Sequence, residues 1–219
     1  MSAAPGPHQG QPLAVTGKPL RDAAAAMVMV HGRSATAESI LELARELRHP
    51  DFAYLAPQAA GYAWYPYSFL APLARNEPGL SSGLARLGEI MELLAAEGIL
   101  AERTILLGFS QGACLALEFA ARNARRYGGI AGLSGGLIGP PGAPRHYKGS
   151  FAGTPVFLGC SDDDPHIPRQ RVDETAEVLQ RMGAEVTERI YPDLGHTVNQ
   201  EELGAVRGMM GAVADSSAY

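Results

Sequence analysis

Residues 104–126 read TILLGFSQGACLALEFAARNARR, and this stretch decides the predicted fold. Residues 104–109 form a mostly apolar run of the length of a strand that is buried on both faces. Residues 111–126 place alanine and leucine on one face at helical spacing. Ser110 lies between the two segments, inside a G-x-S-x-G pattern. The stretch therefore predicts a strand that turns sharply at a serine and continues into a helix.

Strand and helix patterns alternate along the rest of the chain. Apolar runs predict further strands at 13–16, 23–30, 52–56, 130–133, 155–159 and 186–191. Helical periodicity predicts helices at 34–47, 80–99, 169–182 and 198–213. Either Ser34 or Thr36 could cap the first of these helices. This alternation is typical of parallel crossover units, so we predict one α/β domain with a mostly parallel sheet and helices on both faces.

The composition is that of a globular domain and excludes several functional classes. The 219 residues include 18 Lys and Arg against 23 Asp and Glu, a net charge of −5 that argues against nucleic-acid binding. The longest apolar run, residues 23–30, is too short to cross a bilayer, so we expect no stable membrane insertion. Cys114 and Cys160 have no metal-ligand spacing, and we expect them to be small apolar fillers in a reducing compartment.

The start of the chain differs in composition from the rest. Residues 1–12 are rich in Pro, Gly and Ala and show no cationic start followed by an apolar core. We therefore predict a disordered tail over residues 1–12 rather than a signal peptide, and a single α/β domain over residues 13–219. A cytoplasmic protein is the expectation.

The G-x-S-x-G pattern occurs three times, around Ser81, Ser110 and Ser134. A nucleophilic serine at such a turn needs a strand before it and a helix after it, because the helix N-terminus supplies N–H groups to a developing oxyanion. Ser81 follows a loop, so we expect it to cap a helix. Ser134 follows a strand but precedes two glycines and, later, two prolines, so no helix begins there. Ser110 alone has both neighbours.

A serine hydroxyl needs a base, and six histidines are available. The chain order serine, acid, histidine excludes His31, which precedes the serine. His166 follows Ser110 too closely to leave a strand for the acid between them. His196 follows the last predicted strand and precedes a helix, which makes it the candidate base.

The acid should follow the strand at residues 155–159. Asp162, Asp163 and Asp164 stand there in a row, and spacing alone does not choose among them. Three adjacent carboxylates repel one another when buried together, so most of them should face water. Asp193 is a fallback, although its closeness to His196 favours a role in shaping that loop.

Several motifs together resemble the phospholipase/carboxylesterase family of α/β-hydrolases. This family includes acyl-protein thioesterases, lysophospholipases and small bacterial carboxylesterases. The motifs are GFSQGA at 108–113, DPHIP at 164–168, GHT at 195–197 and His-Gly at 31–32. Ala-Pro at 56–57, Trp-Tyr at 64–65 and NEPGL at 76–80 are similar to the small bacterial carboxylesterase branch. The resemblance covers residues 27–202.

The resemblance implies a role for each matched residue. It implies a single-domain α/β-hydrolase fold without a large lid, with Ser110 as nucleophile, His196 as base and Asp164, directly before a proline, as the acid. The backbone N–H groups of Arg33 and Gln111 match the oxyanion hole. The family often has an apolar residue where this chain has Arg33. The Arg33 cation could favour anionic acyl groups or simply reach solvent.

The long irregular stretch at residues 58–78 is the predicted substrate wall, because long loops in compact domains are often functional. Trp64, Tyr65, Phe69 and Leu70 could line an acyl or aryl pocket, or they could cover the core beneath the loop. Exposed apolar residues of the same loop could mediate a homodimer. With no lid domain, we expect a shallow cleft that takes small-molecule esters of short or medium length.

These features predict a serine hydrolase that cleaves carboxylic esters through an acyl-enzyme, with no metal or organic cofactor. An acyl-thioesterase or a lysophospholipase activity is the alternative within enzymes. Dienelactone-type hydrolases usually use cysteine, and position 110 is serine. A silent ligand-binding protein on a hydrolase scaffold is the non-enzyme alternative, but silent relatives typically lose one of the three reactive residues.

Overall fold

Seven strands form one sheet in the computed structural model, which describes residues 6–215. They are β1 (Leu13–Gly17), β2 (Ala25–Val30), β3 (Phe52–Pro57), β4 (Thr104–Phe109), β5 (Gly129–Leu133), β6 (Pro155–Ser161) and β7 (Glu185–Tyr191). Their order across the sheet is β1-β3-β2-β4-β5-β6-β7. The first pair, β1 with β3, is antiparallel, and the other five pairs are parallel. The mostly parallel sheet predicted from the alternating pattern is confirmed.

Helices cover both faces of this sheet, as predicted. They are α1 (Ala37–Glu46), α2 (Gly79–Ala96), α3 (Gln111–Arg122), α4 (Arg169–Arg181) and α5 (Gln200–Asp215). Short 3-10 turns lie at Leu20–Asp22, Ala60–Tyr62, Leu73–Asn76 and Ala101–Arg103. Buried side chains of α2, α3 and α4 form one core with the sheet, and those of α1 and α5 form a second core on the opposite face. Central strands such as β2 are therefore buried along their whole length.

Local hydrogen bonds set the start of two helices. Thr36, rather than Ser34, caps α1: its hydroxyl accepts the N–H of Ser39 at 3.1 Å, and the Ser39 hydroxyl accepts the N–H of Thr36 at 3.0 Å. The prediction that Ser81 caps a helix is wrong. Ser81 lies inside α2, and its N–H and hydroxyl both donate to the carboxylate of Glu77, at 3.0 and 2.7 Å. The Glu77 carboxylate, and not the Ser81 hydroxyl, therefore accepts a free backbone N–H of the first turn of α2.

The predicted disordered tail at residues 1–12 falls partly on residues 1–5, which lie outside the described residues. For residues 6–12 the prediction is wrong. The side chain of His8 is 1% exposed, its backbone N–H donates to Ser82 Oγ at 2.8 Å, and its ring bonds Trp64 O at 2.9 Å. Ala60 N–H donates to the other ring nitrogen at 3.0 Å. One imidazole thus satisfies two backbone groups of a distant loop, and composition carries no signal for that contact.

Both cysteines behave as the sequence predicts. Cys114 and Cys160 are buried and form no disulfide. Burial raises the pKa of each thiol to about 12, so neither is a ready nucleophile at neutral pH. Across residues 6–215, no helix has the length and apolar character needed to traverse a bilayer.

Candidate active site

Ser110 occupies the sharp turn between β4 and α3. Its backbone has φ 55° and ψ −121°, a left-handed conformation that L-residues rarely adopt. Two glycines make room for this turn. A Cβ atom at Gly108 would lie 2.5 Å from Ala113 N, and one at Gly112 would overlap the carbonyl oxygen of Val30. The turn therefore depends on direct contact between the backbones of α3 and β2, and it holds the serine at the carboxyl edge of the sheet.

The structure brings the three reactive side chains predicted from the sequence into one hydrogen-bonded chain. The Nε2 atom of His196 lies 2.8 Å from Ser110 Oγ, and its Nδ1 atom lies 2.7 Å from Asp164 Oδ2. Asp164 follows β6, and His196 stands in the loop between β7 and α5. These two loops and the Ser110 turn all follow the carboxyl ends of parallel strands, so they meet at one edge of the sheet.

The Asp164 carboxylate is fully buried behind the imidazole. Its Oδ1 atom accepts the backbone N–H groups of His166 and Ile167, at 2.8 and 3.0 Å. Burial alone would raise the pKa of this carboxyl, but the hydrogen bonds from His196 and from the two N–H groups outweigh it, and the pKa lies below its usual value. The carboxylate therefore stays ionised at neutral pH and orients Nδ1–H toward itself.

The neighbouring aspartates that spacing left open have other partners. Asp162 accepts the backbone N–H of Asp193 at 3.1 Å, and Asp163 accepts the N–H of Gly195 at 3.3 Å. Both bonds fasten the loop that carries His196 to the loop after β6. Asp162 and Asp163 thus brace the site, and Asp164 is the carboxylate that contacts the imidazole.

Two backbone N–H groups predicted as an oxyanion hole flank Ser110. Gln111 is the first residue of α3, so its N–H has no acceptor within the helix. The N–H of Arg33 likewise has no acceptor among the described residues. The loop that carries it lies against the serine, since a Cβ atom at Gly32 would stand 3.4 Å from Ser110 Cβ. The positive end of the α3 dipole adds to the field at this point.

The side chain of Arg33 does not simply reach solvent, which was one of its two expected placements. Its guanidinium donates to three consecutive backbone carbonyls of the irregular stretch at residues 58–78, here called the aromatic loop. The acceptors are Tyr65 O at 2.8 Å, Pro66 O at 3.1 Å and Tyr67 O at 2.9 Å. The arginine therefore fixes this loop over the cleft.

Gln111 fastens the same loop from the other side. Its side-chain oxygen accepts the N–H of Trp64 at 2.9 Å, and its amide nitrogen donates to Tyr65 O at 2.9 Å. The residue that begins α3 thus carries a free backbone N–H at the serine and a side chain bonded to the loop.

An open cleft of about 480 Å³ lies beside Ser110. Its lining consists of Gly32, Arg33, Ser34, Ala35, Tyr65, Pro66, Tyr67, Ser68, Phe69, Phe109, Ser110, Gln111, Cys114, His166, Ile167 and His196. The sequence did not predict Phe109 and His166 as part of the cleft wall. Their ring centroids lie 5.0 and 4.8 Å from that of His196. Their position beside Ser110 and Asp164 in the sequence is the signal that could have identified them.

Two of the four predicted substrate-binding residues, Tyr65 and Phe69, line this cleft. Trp64 and Leu70 do not line the cleft and take the other expected placement, over the core beneath the loop. Trp64 is fully buried beneath the loop, and its Nε1–H donates to His31 O at 2.9 Å, so its indole serves the core. Leu70 packs against the core formed with α2, α3 and α4.

Known proteins are similar to this chain in structure or in sequence. A solved phospholipase/carboxylesterase from Dyadobacter fermentans is 44% identical, with a TM-score of 0.88, over 92% of this chain and 96% of that one. Acyl-protein thioesterase 1 of Neurospora crassa is 27% identical over 85% of this chain and 85% of its own length. Acyl-protein thioesterase 1 of Gibberella zeae is 32% identical over 63% of this chain, and the match spans 60% of that relative.

The family pattern described as Phospholipase/Carboxylesterase matches residues 12–213. This match and the solved structure confirm the α/β-hydrolase fold and the resemblance carried by the serine, aspartate and histidine motifs. The chain belongs to the phospholipase/carboxylesterase family of hydrolases.

Proposed function

We propose that this hydrolase cleaves carboxylic esters through a covalent acyl-serine intermediate. The hydrogen-bonded chain from Ser110 through His196 to Asp164, with distances of 2.8 and 2.7 Å, is the observation that carries the proposal. Such a chain supplies a nucleophile, a base in contact with it and a carboxylate that fixes the base in the required tautomer.

In the proposed acylation step, Ser110 Oγ attacks the ester carbonyl carbon while Nε2 of His196 takes the hydroxyl proton. The carbonyl oxygen becomes an oxyanion, which accepts hydrogen bonds from the N–H groups of Arg33 and Gln111, each contributing about 3 kcal/mol. The C–O bond to the alcohol then breaks, and the alcohol leaves with the proton from His196. The ionised Asp164 stabilises the imidazolium during both transfers.

Deacylation repeats the sequence with water. His196 takes a proton from water as the water oxygen attacks the acyl carbon, the oxyanion forms again at the same N–H groups, and Ser110 leaves with the proton. The carboxylic acid product is released and the serine is restored. Every proton in this cycle moves through His196, so the proton transfers need no other acid or base of the chain.

The cleft supports short to medium acyl groups. Its volume of about 480 Å³ is at the lower end of small-molecule sites. A panel of p-nitrophenyl esters tests this, and we expect the highest kcat/KM for acyl chains of about two to eight carbons. A maximum at long chains would contradict the proposed substrate size.

Labelling by a fluorophosphonate probe tests the acyl-enzyme itself. We expect one label per chain, lost in Ser110→Ala together with ester hydrolysis. Ser81→Ala is the matched control, because Ser81 stands in the same G-x-S-x-G pattern but bonds Glu77 inside α2. Labelling that survives in Ser110→Ala would refute the assigned nucleophile. A chain that neither labels nor hydrolyses any ester would support the silent binding protein.

Thioester cleavage is the second candidate, because the curated relatives are named acyl-protein thioesterases. A butyryl oxygen ester and its thioester with the same leaving-group skeleton separate the two activities. We expect the oxygen ester to be cleaved, and a much higher kcat/KM for the thioester would reassign the main activity.

We also propose a cytoplasmic location, supported by the free thiols of Cys114 and Cys160.

A further inference from the structure

We propose that this cleft selects esters that carry a negative charge, and that the guanidinium of Arg33 binds that charge. This inference rests on the proposed ester hydrolysis and goes beyond it by naming a substrate class. The preferred substrate would be a small ester with a carboxylate a few bonds away from the reacting carbonyl.

The charge of Arg33 is not neutralised by the protein. All three of its side-chain acceptors are backbone carbonyls, which are formally uncharged. Among the described residues, every ion pair involves other side chains. A guanidinium has five N–H groups, and the three bonds to the loop use three of them. Two N–H groups of Arg33 therefore remain for a ligand.

The residues around Arg33 also favour a negatively charged ligand. The residues that line the cleft include no aspartate and no glutamate, although the whole chain has a net charge of −5. The carboxylate of Asp164 is fully buried behind His196 and takes no part in the lining. The N-terminus of α3 also presents positive potential to the cleft. An anion entering the cleft thus meets a cation and a helix dipole and no competing carboxylate.

The guanidinium is also held in place before any ligand arrives. Bonds to Tyr65, Pro66 and Tyr67 restrict its rotamers, so binding an anion requires little further loss of side-chain entropy. Guanidinium groups form strong, charge-assisted hydrogen bonds with carboxylates and are less strongly hydrated than ammonium groups. These properties favour discrimination between charged and neutral substrates of equal size.

Three methyl esters of similar length test the proposal in a pH-stat assay at low salt. They are monomethyl glutarate, its neutral primary amide, and the cationic methyl ester of 4-(trimethylammonio)butanoate. We expect kcat/KM for the anionic ester to exceed that of the neutral amide by about 10-fold, with the cationic ester slower still. The preference should weaken as the salt concentration is raised to about 0.5 M, which is about three times physiological ionic strength.

Variants of Arg33 separate its charge from its contacts with the loop. In Arg33→Gln the cation is lost, so the ratio of anionic to neutral kcat/KM should fall to about 1 to 2. Arg33→Lys keeps the cation but loses the planar fork, so all rates should drop while most of the ratio remains. Arg75→Gln is the matched control, because Arg75 is a cation of the same loop that stacks on Tyr67, 4.2 Å from its ring centroid, and does not itself line the cleft. Its ratio should equal that of the wild-type chain.

The outcomes distinguish this inference from the proposed function. Equal kcat/KM for all three esters, or an undiminished ratio in Arg33→Gln, would overturn the charge selectivity and leave the esterase intact. A loss in Arg33→Gln that is equal for all three esters would reduce Arg33 to a residue that positions the loop. Failure of the wild-type chain to cleave any ester or to react with the fluorophosphonate would overturn both proposals.

Discussion

Arg33 and Gln111 donate hydrogen bonds to the same acceptor, the carbonyl oxygen of Tyr65, at 2.8 and 2.9 Å. The two donors come from opposite sides of the serine, one after β2 and one at the start of α3. Both residues also present their backbone N–H groups beside Ser110. The loop that forms the cleft wall and the proposed oxyanion site are therefore built from the same two residues, and disturbing one disturbs the other.

Gln111→Ala should destabilise the chain and weaken catalysis together. It leaves the buried N–H of Trp64 without its acceptor, and we expect a loss of about 1 to 3 kcal/mol in unfolding free energy. Urea denaturation gives the stability, and the kcat/KM of a p-nitrophenyl ester gives the effect on the site. Gln170→Ala, at an exposed position in α4, is the control and should change neither. An unchanged stability in Gln111→Ala would contradict the role of this contact.

Replacing Ser110 should reveal the strain in its turn. At φ 55° and ψ −121° an alanine is strained as the serine is, whereas glycine adopts this conformation readily. We therefore expect Ser110→Gly to be more stable than Ser110→Ala by about 1 kcal/mol, although glycine usually destabilises. Both should lose about 10⁴-fold or more in ester hydrolysis. Thermal denaturation of the pair measures the difference, and a less stable glycine variant would argue against a strained turn.

Acid should destabilise the chain through two buried histidines. A ring nitrogen of His8 accepts the N–H of Ala60, and one of His31 accepts the N–H of Ala59, both at 3.0 Å. Protonating either ring would place a ring N–H opposite the backbone N–H that it now accepts. Burial lowers the pKa of both imidazoles, so below about pH 6.5 the unfolded chain binds more protons than the folded one. The stability that these rings contribute is complete at neutral pH and is lost as the pH falls.

His8→Gln tests this pH dependence. Removing one titrating group should reduce the slope of unfolding free energy against pH, between pH 7 and 5, by up to about 1.4 kcal/mol per pH unit. Chemical denaturation at several pH values gives the slope. His146→Gln, at an exposed position, should leave it unchanged. A His8→Gln slope identical to that of the wild-type chain would rule out the proton uptake at this ring.

Glu202 should have the opposite effect. Its carboxyl is buried in α5, where one oxygen accepts the N–H of Asn199 at 2.8 Å and the other has no partner among the described residues. Burial raises the pKa of this group to about 7, so the folded chain holds a proton that the unfolded chain releases above about pH 4.5. The stability contributed by the protonated form is full below pH 4.5 and is lost as the pH rises through 7.

Glu202→Gln imitates the protonated form at every pH. We expect it to match the wild-type chain near pH 4.5 and to exceed its unfolding free energy by about 2 to 3 kcal/mol at pH 8. Glu201→Gln is the matched neighbour, because Glu201 is exposed and lies 3.5 Å from Arg189. Its stability difference from the wild-type chain should show no comparable rise. A Glu202→Gln difference that is constant with pH would contradict the buried titration.

The sheet, the helices and the meeting of Ser110 with His196 were predictable because each rests on a local pattern. Apolar runs determine strands in a parallel sheet, and the residues that follow such strands share one edge. The neighbours of Ser110 in sequence were enough to choose it over Ser81 and Ser134.

The contacts of the aromatic loop were not predictable in the same way. His8 and Gln111 meet this loop across 52 and 47 positions of sequence, and no periodicity encodes such pairings. Trp64 and Tyr65 are neighbours and both are buried, yet of the two only Tyr65 lines the cleft. Which of the two meets the cleft depends on how the loop backbone is held by Arg33 and Gln111, and residue type alone does not specify that.

Hydrogen bonds hold the loop through its backbone, in addition to the packing of Trp64, Tyr65 and Phe69 in the core. Arg33 binds carbonyl oxygens at three successive positions, and these bonds do not depend on which side chains those positions carry. Gly112, in contrast, tolerates no side chain at all, because α3 touches β2 there. Side chains can therefore vary at some positions of the loop, whereas the glycine at position 112 cannot be replaced. Substitutions at residues 66–68, which are exposed and line the cleft, can reshape substrate range in nature or in directed evolution, while the serine turn beneath them stays constant.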